Sequence, residues 1–385
     1  MLTLSSAAES IQQSEIRVMS VECEKVRGIN LAQGVCDTEV PKPVRDAAWH
    51  AMEYGLNSYT RLDGIALLRN AIAKHVREHN GITADPETEV IVTAGATGGF
   101  YCACLALLNA GDEVIIFEPY YGYHVNTLEA LKLKPVYVQL EPPDWSFSID
   151  ELERATTPRT RAIVVNTPAN PCGKVFTLEE LEKIAAWAEA NDAFIITDEI
   201  YEHFVYDHHR HISPGSLPGM RQRTITISGF SKVFSVTGWR VGYAVVDEQW
   251  AQAIGYYHDL IYICAPAPLQ MGCAAGLDEL GPQFYNELRN EYARKRRMMC
   301  DALVTAGLMP YEPQGAYYVL ADSSRLPGTT SKQKAMYLLE HTGVASVPGE
   351  SFYQGEGGEN LLRFCFAKKD YELQQACKRL AKLKL

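Results

Sequence analysis

Residues Arg223–Tyr243 read RTITISGFSKVFSVTGWRVGY. The alternation from Thr224 to Ile227 is the pattern of a β-strand, and the small residues after it end the strand in a turn. The turn carries one lysine, Lys232, among small and apolar neighbours, and Arg240 follows eight positions later. Upstream, strand-like runs recur: EVIVTAG, DEVIIFEP, KPVYVQL, RAIVVNTP and AFIITDEIY. Runs of helical period separate them, among them VRDAAWHAM, IALLRNAIAKHVREH, ATGGFYCACLALL, YGYHVNTLEAL and TLEELEKIAAWAEAN. SIDELERA is a further short helix with a capping-box pattern from Ser148 to Glu151. Such alternation predicts an α/β domain around a mainly parallel sheet, with the ligand site beyond the carboxyl ends of its strands. Gly95, Asn170, Asp198 and Lys232 all fall at such ends.

From about residue 283 the pattern changes. A long charged helix is followed by GAYYVLAD, a helix near SKQKAMYLLEHTG, VASVPG, LLRFCFA and a last basic helix, which predicts a smaller α+β domain. Before the sheet region, residues 5–25 read as a helix and GINLAQGV as a short strand ending in a glycine turn.

The chain has 385 residues, which exceeds one ordinary core and favours two packed domains. Its net charge of −11 argues against nucleic acid as a partner, because that requires a concentrated basic surface. No apolar stretch approaches the ~20 residues of a membrane span, and the first residues lack a secretory pattern, so a cytoplasmic protein is expected. The ten cysteines include no C-x-x-C pair and read as reduced core residues; no metal is expected. The cluster Asp207–His211, DHHRH, reads as an exposed loop.

A lysine just past a buried strand, amid apolar groups, is expected to have a depressed pKa. Its neutral amine would then attack an aldehyde to form a Schiff base. Taken alone, such a lysine more often snorkels to solvent, so its company decides the reading. Asp198 is placed to hold a protonated ring nitrogen, or to cap a helix. Tyr201 and Asn170 lie within reach of the same locus in sequence. The glycine turn TAGATGG, Thr93–Gly99, opens a helix whose first amides suit a phosphate, and Arg240 offers a bidentate counter-charge. Arg363, inside the apolar strand LLRFCFA, needs a buried anion or a route to solvent.

In order along the chain, INLAQGV, NSYT, TAGATGG, EPYYGY, NTPANPCGKV, DEIY, SGFSKVFSVTGWRVGY and LLRFCFA resemble the motifs of the class I/II aminotransferases, pyridoxal 5′-phosphate enzymes of fold type I. The resemblance implies a large cofactor-binding domain, residues 43–282, with a mainly parallel seven-stranded sheet, and a small α+β domain made of residues 1–42 and 283–385. It implies that Lys232 binds the cofactor covalently and shuttles the substrate's α-proton, and that Asp198 pairs with the ring nitrogen. Tyr201 and Asn170 would contact the ring's phenolic oxygen, and Tyr121 would stack on the ring. Ala96, Thr97, Arg240 and a nearby serine would hold the phosphate. Arg363, with the Gly34 backbone and Asn170, would hold the substrate carboxylate. Tyr59 would reach the site of a neighbouring subunit in a homodimer with shared active sites.

The implied reaction is ping-pong transfer of an amino group between an L-α-amino acid and a 2-oxo acid. Elimination or cyclisation of a modified amino acid, known on the same fold, is the rival. Three departures stand out. Gly229 occupies the place of a phosphate-binding serine, leaving Ser228 and Ser231 as substitutes, with Ser231 the choice. Cys172 replaces the threonine of NPTG. Thr97 stands where an aspartate-preferring branch carries a lysine, which weakens an aspartate preference. Arg61 reads equally as the partner of a distal carboxylate or as a surface charge, whereas Tyr123, Tyr262 and Phe352 would favour larger or aromatic side chains.

Overall fold

A computed structural model describes residues 14–383. Strands β1 (Ile29–Asn30), β2 (Val90–Thr93), β3 (Glu113–Glu118), β4 (Lys134–Gln139), β5 (Thr160–Asn166), β6 (Phe194–Asp198), β7 (Thr224–Gly229) and β8 (Gly242–Val245) come first in the chain. All but β1 form one seven-stranded sheet in the order β2–β8–β7–β6–β5–β3–β4. Only β8 runs against its neighbours, so the sheet is mainly parallel, as read from the sequence. Side-chain alternation divides the core between its faces. Ile163, Val165 and Ile195 pack in one apolar cluster, and Ala162, Val164 and Ile196 in another. Pro135, which cannot donate to a ladder, is accommodated because β4 is an edge strand.

The chain continues through β9 (Met309–Tyr311), β10 (Tyr318–Asp322), β11 (Val344–Ala345), β12 (Val347–Pro348) and β13 (Leu361–Cys365). Of these, β12–β13–β10–β9 make an antiparallel sheet, and β11 pairs in parallel with β1. The 24-residue helix Pro282–Thr305 precedes them. The helix expected over residues 5–25 is seen as Glu15–Lys25; its earlier part lies outside the described residues. Ser148 does precede the helix Ile149–Arg154, but its side chain makes no capping bond, so the capping-box reading there is corrected. Complete capping boxes form instead at Thr177–Glu180 and Thr330–Gln333.

Backbone bonds fasten the two sheets together near one loop. Gly315 N donates to Gly173 O at 2.8 Å, Ala316 N to Phe204 O at 2.8 Å and Tyr206 N to Gln314 O at 2.9 Å. Gly173 has a φ of +74°, and a Cβ on it would lie 2.2 Å from Pro313 Cβ and 2.8 Å from Gly315 O. Left-handed strain and a backbone clash therefore act together. Gly173→Ala is expected to destabilise the protein by about 2 kcal/mol or more, read as a lower thermal midpoint; an unchanged midpoint would contradict this packing.

Candidate functional site

A cavity of about 470 Å³ opens at the carboxyl ends of β5, β6 and β7, where the C-terminal sheet closes over them. Lys232, Asp198, Asn170, Tyr201, Tyr121 and Arg363 all line it. So do Gly34, Ala96, Thr97, Ser231 and Arg240. Of the expected site residues, Tyr59 alone lies elsewhere; its side chain is exposed on the surface of this chain.

The anion end is built by the turn after β2. The helix Gly95–Leu107 begins there with no side-chain cap, leaving the first amides without the partner that an N-cap side chain normally supplies. Arg240, itself at a φ of +55°, lays its guanidinium against the turn: a Cβ on Gly95 would lie 2.4 Å from Arg240 Nη2. Gly242 lies beneath, where a Cβ would sit 2.5 Å from the Ala96 amide nitrogen. Two glycines thus allow an arginine and a helix N-terminus to converge. Arg240 has no carboxylate within ion-pair distance among the described residues, and donates only to Thr237 O at 3.1 Å. This concentration of donors suits a dianionic phosphate.

The serine departure has a steric reason. Gly229 lies in β7 against β8, and a Cβ there would be 2.8 Å from Gly242 Cα. Ser228 turns away, donating to Glu202 Oε1 at 2.9 Å, while Ser231 lines the cavity. Of the two candidates, Ser231 is therefore the serine that lines the cavity.

Asp198, the last residue of β6, lines the same cavity. Its Oδ2 lies 3.0 Å from His124 Nε2, and its Oδ1 accepts from the Ile200 amide at 3.2 Å. No helix directly follows Asp198, so its reading as a helix cap is corrected: Oδ1 shapes a turn, and the residue lines the cavity. Tyr201 pairs its hydroxyl with that of Tyr318 at 3.0 Å. Burial pushes the Tyr201 phenol well above its ordinary range, so it remains a donor. Lys232 Nζ lies 5.8 Å from the centre of the Tyr201 ring. Burial, which penalises the ammonium, lowers the Lys232 pKa, and Arg240 pushes it the same way.

Arg363 arrives from β13 and is 1% exposed. Nη1 donates to Asn170 Oδ1 at 2.9 Å and Nη2 to Ala32 O at 2.5 Å, while Nε has no partner. Its guanidinium lies 4.3 Å from the Tyr318 ring centre and 5.1 Å from that of Phe352. No carboxylate of the described residues pairs with it. A buried guanidinium without an anion is costly, and a bound carboxylate is the group that would relieve it.

Other expectations resolve less uniformly. Arg61 is engaged by Glu87 at 2.6 Å and Asp63 at 2.7 Å and does not line the cavity, so of its two readings the structure supports the surface charge. Tyr123 lines the cavity; Tyr262 packs on His258 instead, and Phe352 acts from beneath Arg363. The exposed-loop expectation for Asp207–His211 is corrected at His211, whose side chain is 3% exposed and bonded to Glu199 at 2.8 Å. All ten cysteines are free; seven are buried and three half-buried. Sequence reasoning missed His124, Asn166, Tyr318, Ile16 and Arg17, all of which line the cavity. An aldehyde-bearing pyridine phosphate fits this cavity: donors suited to an anion, a carboxylate and an amine of lowered pKa all line it.

Comparison with known proteins agrees. The family profile described as aminotransferase class I and II matches residues 26–380. An aromatic-amino-acid aminotransferase of Thermococcus litoralis is 35% identical, covering 99% of this chain and 98% of its own. The solved structure of an N-succinyldiaminopimelate aminotransferase from Mycobacterium tuberculosis superposes with a TM-score of 0.96 at 35% identity, covering 99% of this chain and 100% of its own. A methionine aminotransferase structure from Escherichia coli gives 0.95 at 30% identity, with both chains fully covered. The sheet topology, the composition of the cavity and these similarities together show that this chain belongs to the class I and II aminotransferases, enzymes that depend on pyridoxal 5′-phosphate.

Proposed function

We propose that the protein transfers an amino group between an L-α-amino acid and a 2-oxo acid by a ping-pong mechanism. The observation that carries this reading is that the Lys232 amine and the anion-free guanidinium of Arg363 face one cavity. When bound, pyridoxal 5′-phosphate supplies an electron-withdrawing ring that makes the α-proton of a linked amino acid removable. Ala96, Thr97, Ser231 and Arg240 would hold its phosphate. Asp198, oriented by His124, would hold the ring nitrogen protonated. Tyr201 and Asn170 would donate to the phenolic oxygen, and Tyr121 would cover a ring face. Arg363, Asn170 and the Gly34 backbone would fix the substrate carboxylate and so orient the α-hydrogen toward Lys232. Lys232 Nζ would remove that proton as a general base and return it as a general acid, a role that its lowered pKa supports. The domain division at residues 43 and 283 follows from the same reading.

The protein is proposed to act as a homodimer in the cytoplasm. Trp49, Met52, Tyr54 and Tyr59 are exposed, as are Tyr256, Leu260 and Ile261, an apolar surface that a partner subunit would cover. Tyr59 would then meet the neighbour's phosphate. No described helix is long and apolar enough to cross a membrane. Among donors, aromatic and other larger side chains are proposed to be favoured modestly over aspartate. Tyr123 lines the cavity, whereas Thr97 offers no charge and Arg61 is engaged elsewhere.

Lys232→Ala should abolish transamination and the visible absorbance of the covalently held cofactor; activity near that of the wild type would refute the assignment. Arg363→Met should retain that absorbance but lower kcat/KM by about 2–4 kcal/mol equivalent, at least thirtyfold, for donor and acceptor alike. A loss confined to one substrate would remove Arg363 as the common carboxylate site. In a donor panel, phenylalanine, tyrosine and methionine should exceed aspartate several-fold in kcat/KM; the reverse order would overturn the preference.

A further inference from the structure

A second cavity, of about 630 Å³, shares no lining residue with the first. It is floored by histidines and a buried carboxylate. The helix Ala66–His75 runs into a wider π-helical turn, Val76–Asn80, which brings His75 and His79 to one face. Their rings stack at 5.2 Å. His203, from the loop after β6, lies 5.3 Å from the His75 ring and 4.5 Å from that of His79, and stacks on Tyr285 at 4.5 Å. Glu202 Oε1 is 3.5 Å from His75 Nε2. One donor atom from each of His75, Glu202 and His203 lies within 4.8 Å of the other two.

We propose that His75, Glu202 and His203 bind a divalent transition cation of the Zn²⁺ class, with a fourth coordination position open to the cavity. Two ligands of a tetrahedral Zn²⁺ lie ~3.3 Å apart, given metal–ligand bonds of ~2.0 Å. The His75–Glu202 separation of 3.5 Å already approaches this, and the His203 donor atom lies within 4.8 Å of both. Two imidazoles and a carboxylate also suit such a cation chemically.

Charge supports the same reading. Glu199 and Glu202 have side chains 0% and 4% exposed. Among the described residues neither has a lysine or arginine within ion-pair distance; their basic neighbours are His211 and His75. Two buried carboxylates sharing one cluster therefore lack a permanent cation. Glu202 is also held as metal-binding carboxylates are, by outer hydrogen bonds. Asn80 Nδ2 donates to Oε2 at 2.8 Å, and Ser228 and Tyr243 donate to Oε1 at 2.9 and 3.3 Å. His211, which lines the cavity, keeps a buried Nδ1 with no partner, and Asn80 Oδ1 is likewise unpartnered.

The test uses cofactor-loaded enzyme stripped with a chelator and titrated with ZnCl₂ in the absence of amino acids, which themselves chelate zinc. Calorimetry and metal analysis after dialysis should give one equivalent per chain. His75→Ala and His203→Ala should each bind it at least about tenfold more weakly, while their transamination rates stay near the wild-type value and report an intact fold. X-ray absorption at the zinc edge of the wild-type protein should show a nitrogen and oxygen shell, and it decides the matter even if a variant fails to fold. Absence of saturable uptake would overturn the proposal and leave a proton-held network. A sulfur shell, or equal uptake by folded variants, would overturn it in favour of cysteine binding elsewhere.

Discussion

The Arg363 guanidinium is held between apolar rings, away from any carboxylate of the described chain, and much of the site geometry depends on that burial. Its bonds reach Asn170 in the loop after β5 and Ala32 in the segment after β1. One cation therefore ties β13 to the large sheet and to the N-terminal segment. A buried charge held by hydrogen bonds and aromatic faces alone is energetically incomplete. In the proposed function a substrate carboxylate would supply what is missing, so that substrate binding and the packing of the two sheets would draw on the same interaction.

The rest of the cavity likewise gathers charged groups. Arg240 and the uncapped helix Gly95–Leu107 offer donors for an anion, and Asp198, bonded to His124, brings a carboxylate to the same cavity. Lys232 lines it as well, with its ammonium disfavoured by burial. This arrangement is maintained by glycine. At Gly95, Gly229 and Gly242 a Cβ would strike the guanidinium or the neighbouring backbone. These positions explain why the serine of related motifs is absent at residue 229 and why Ser231 faces the cavity in its place.

Much of this was legible in the sequence because it is local. Thr224–Ile227 declares a strand, TAGATGG a turn opening a helix, and LLRFCFA a strand with one discordant arginine. The side chains that escaped notice depend on contacts distant in the chain. His124 lies 74 residues from Asp198, and Tyr318 lies 117 from Tyr201. Nothing in the period of a helix marks such partners. Arg61 stayed open between two readings for the complementary reason: its neighbour in sequence, Asp63, and the more distant Glu87 satisfy its charge on the surface. His211 misled because DHHRH is polar throughout, and only the approach of Glu199 draws one of its rings inward. The capping-box pattern at Ser148 occurs without the bond, which shows that the pattern is permissive where a helix is only six residues long.

The most direct test is a half-reaction. Purified enzyme carrying its cofactor is given a single amino acid and no oxo-acid acceptor, and the product is quantified per chain. The account predicts one equivalent of the corresponding 2-oxo acid, no free ammonia, and restoration of the starting absorbance only when a second oxo acid is added. Continuous release of ammonia, or of a cyclic product, without any acceptor would contradict it and assign the cavity to elimination or cyclisation instead.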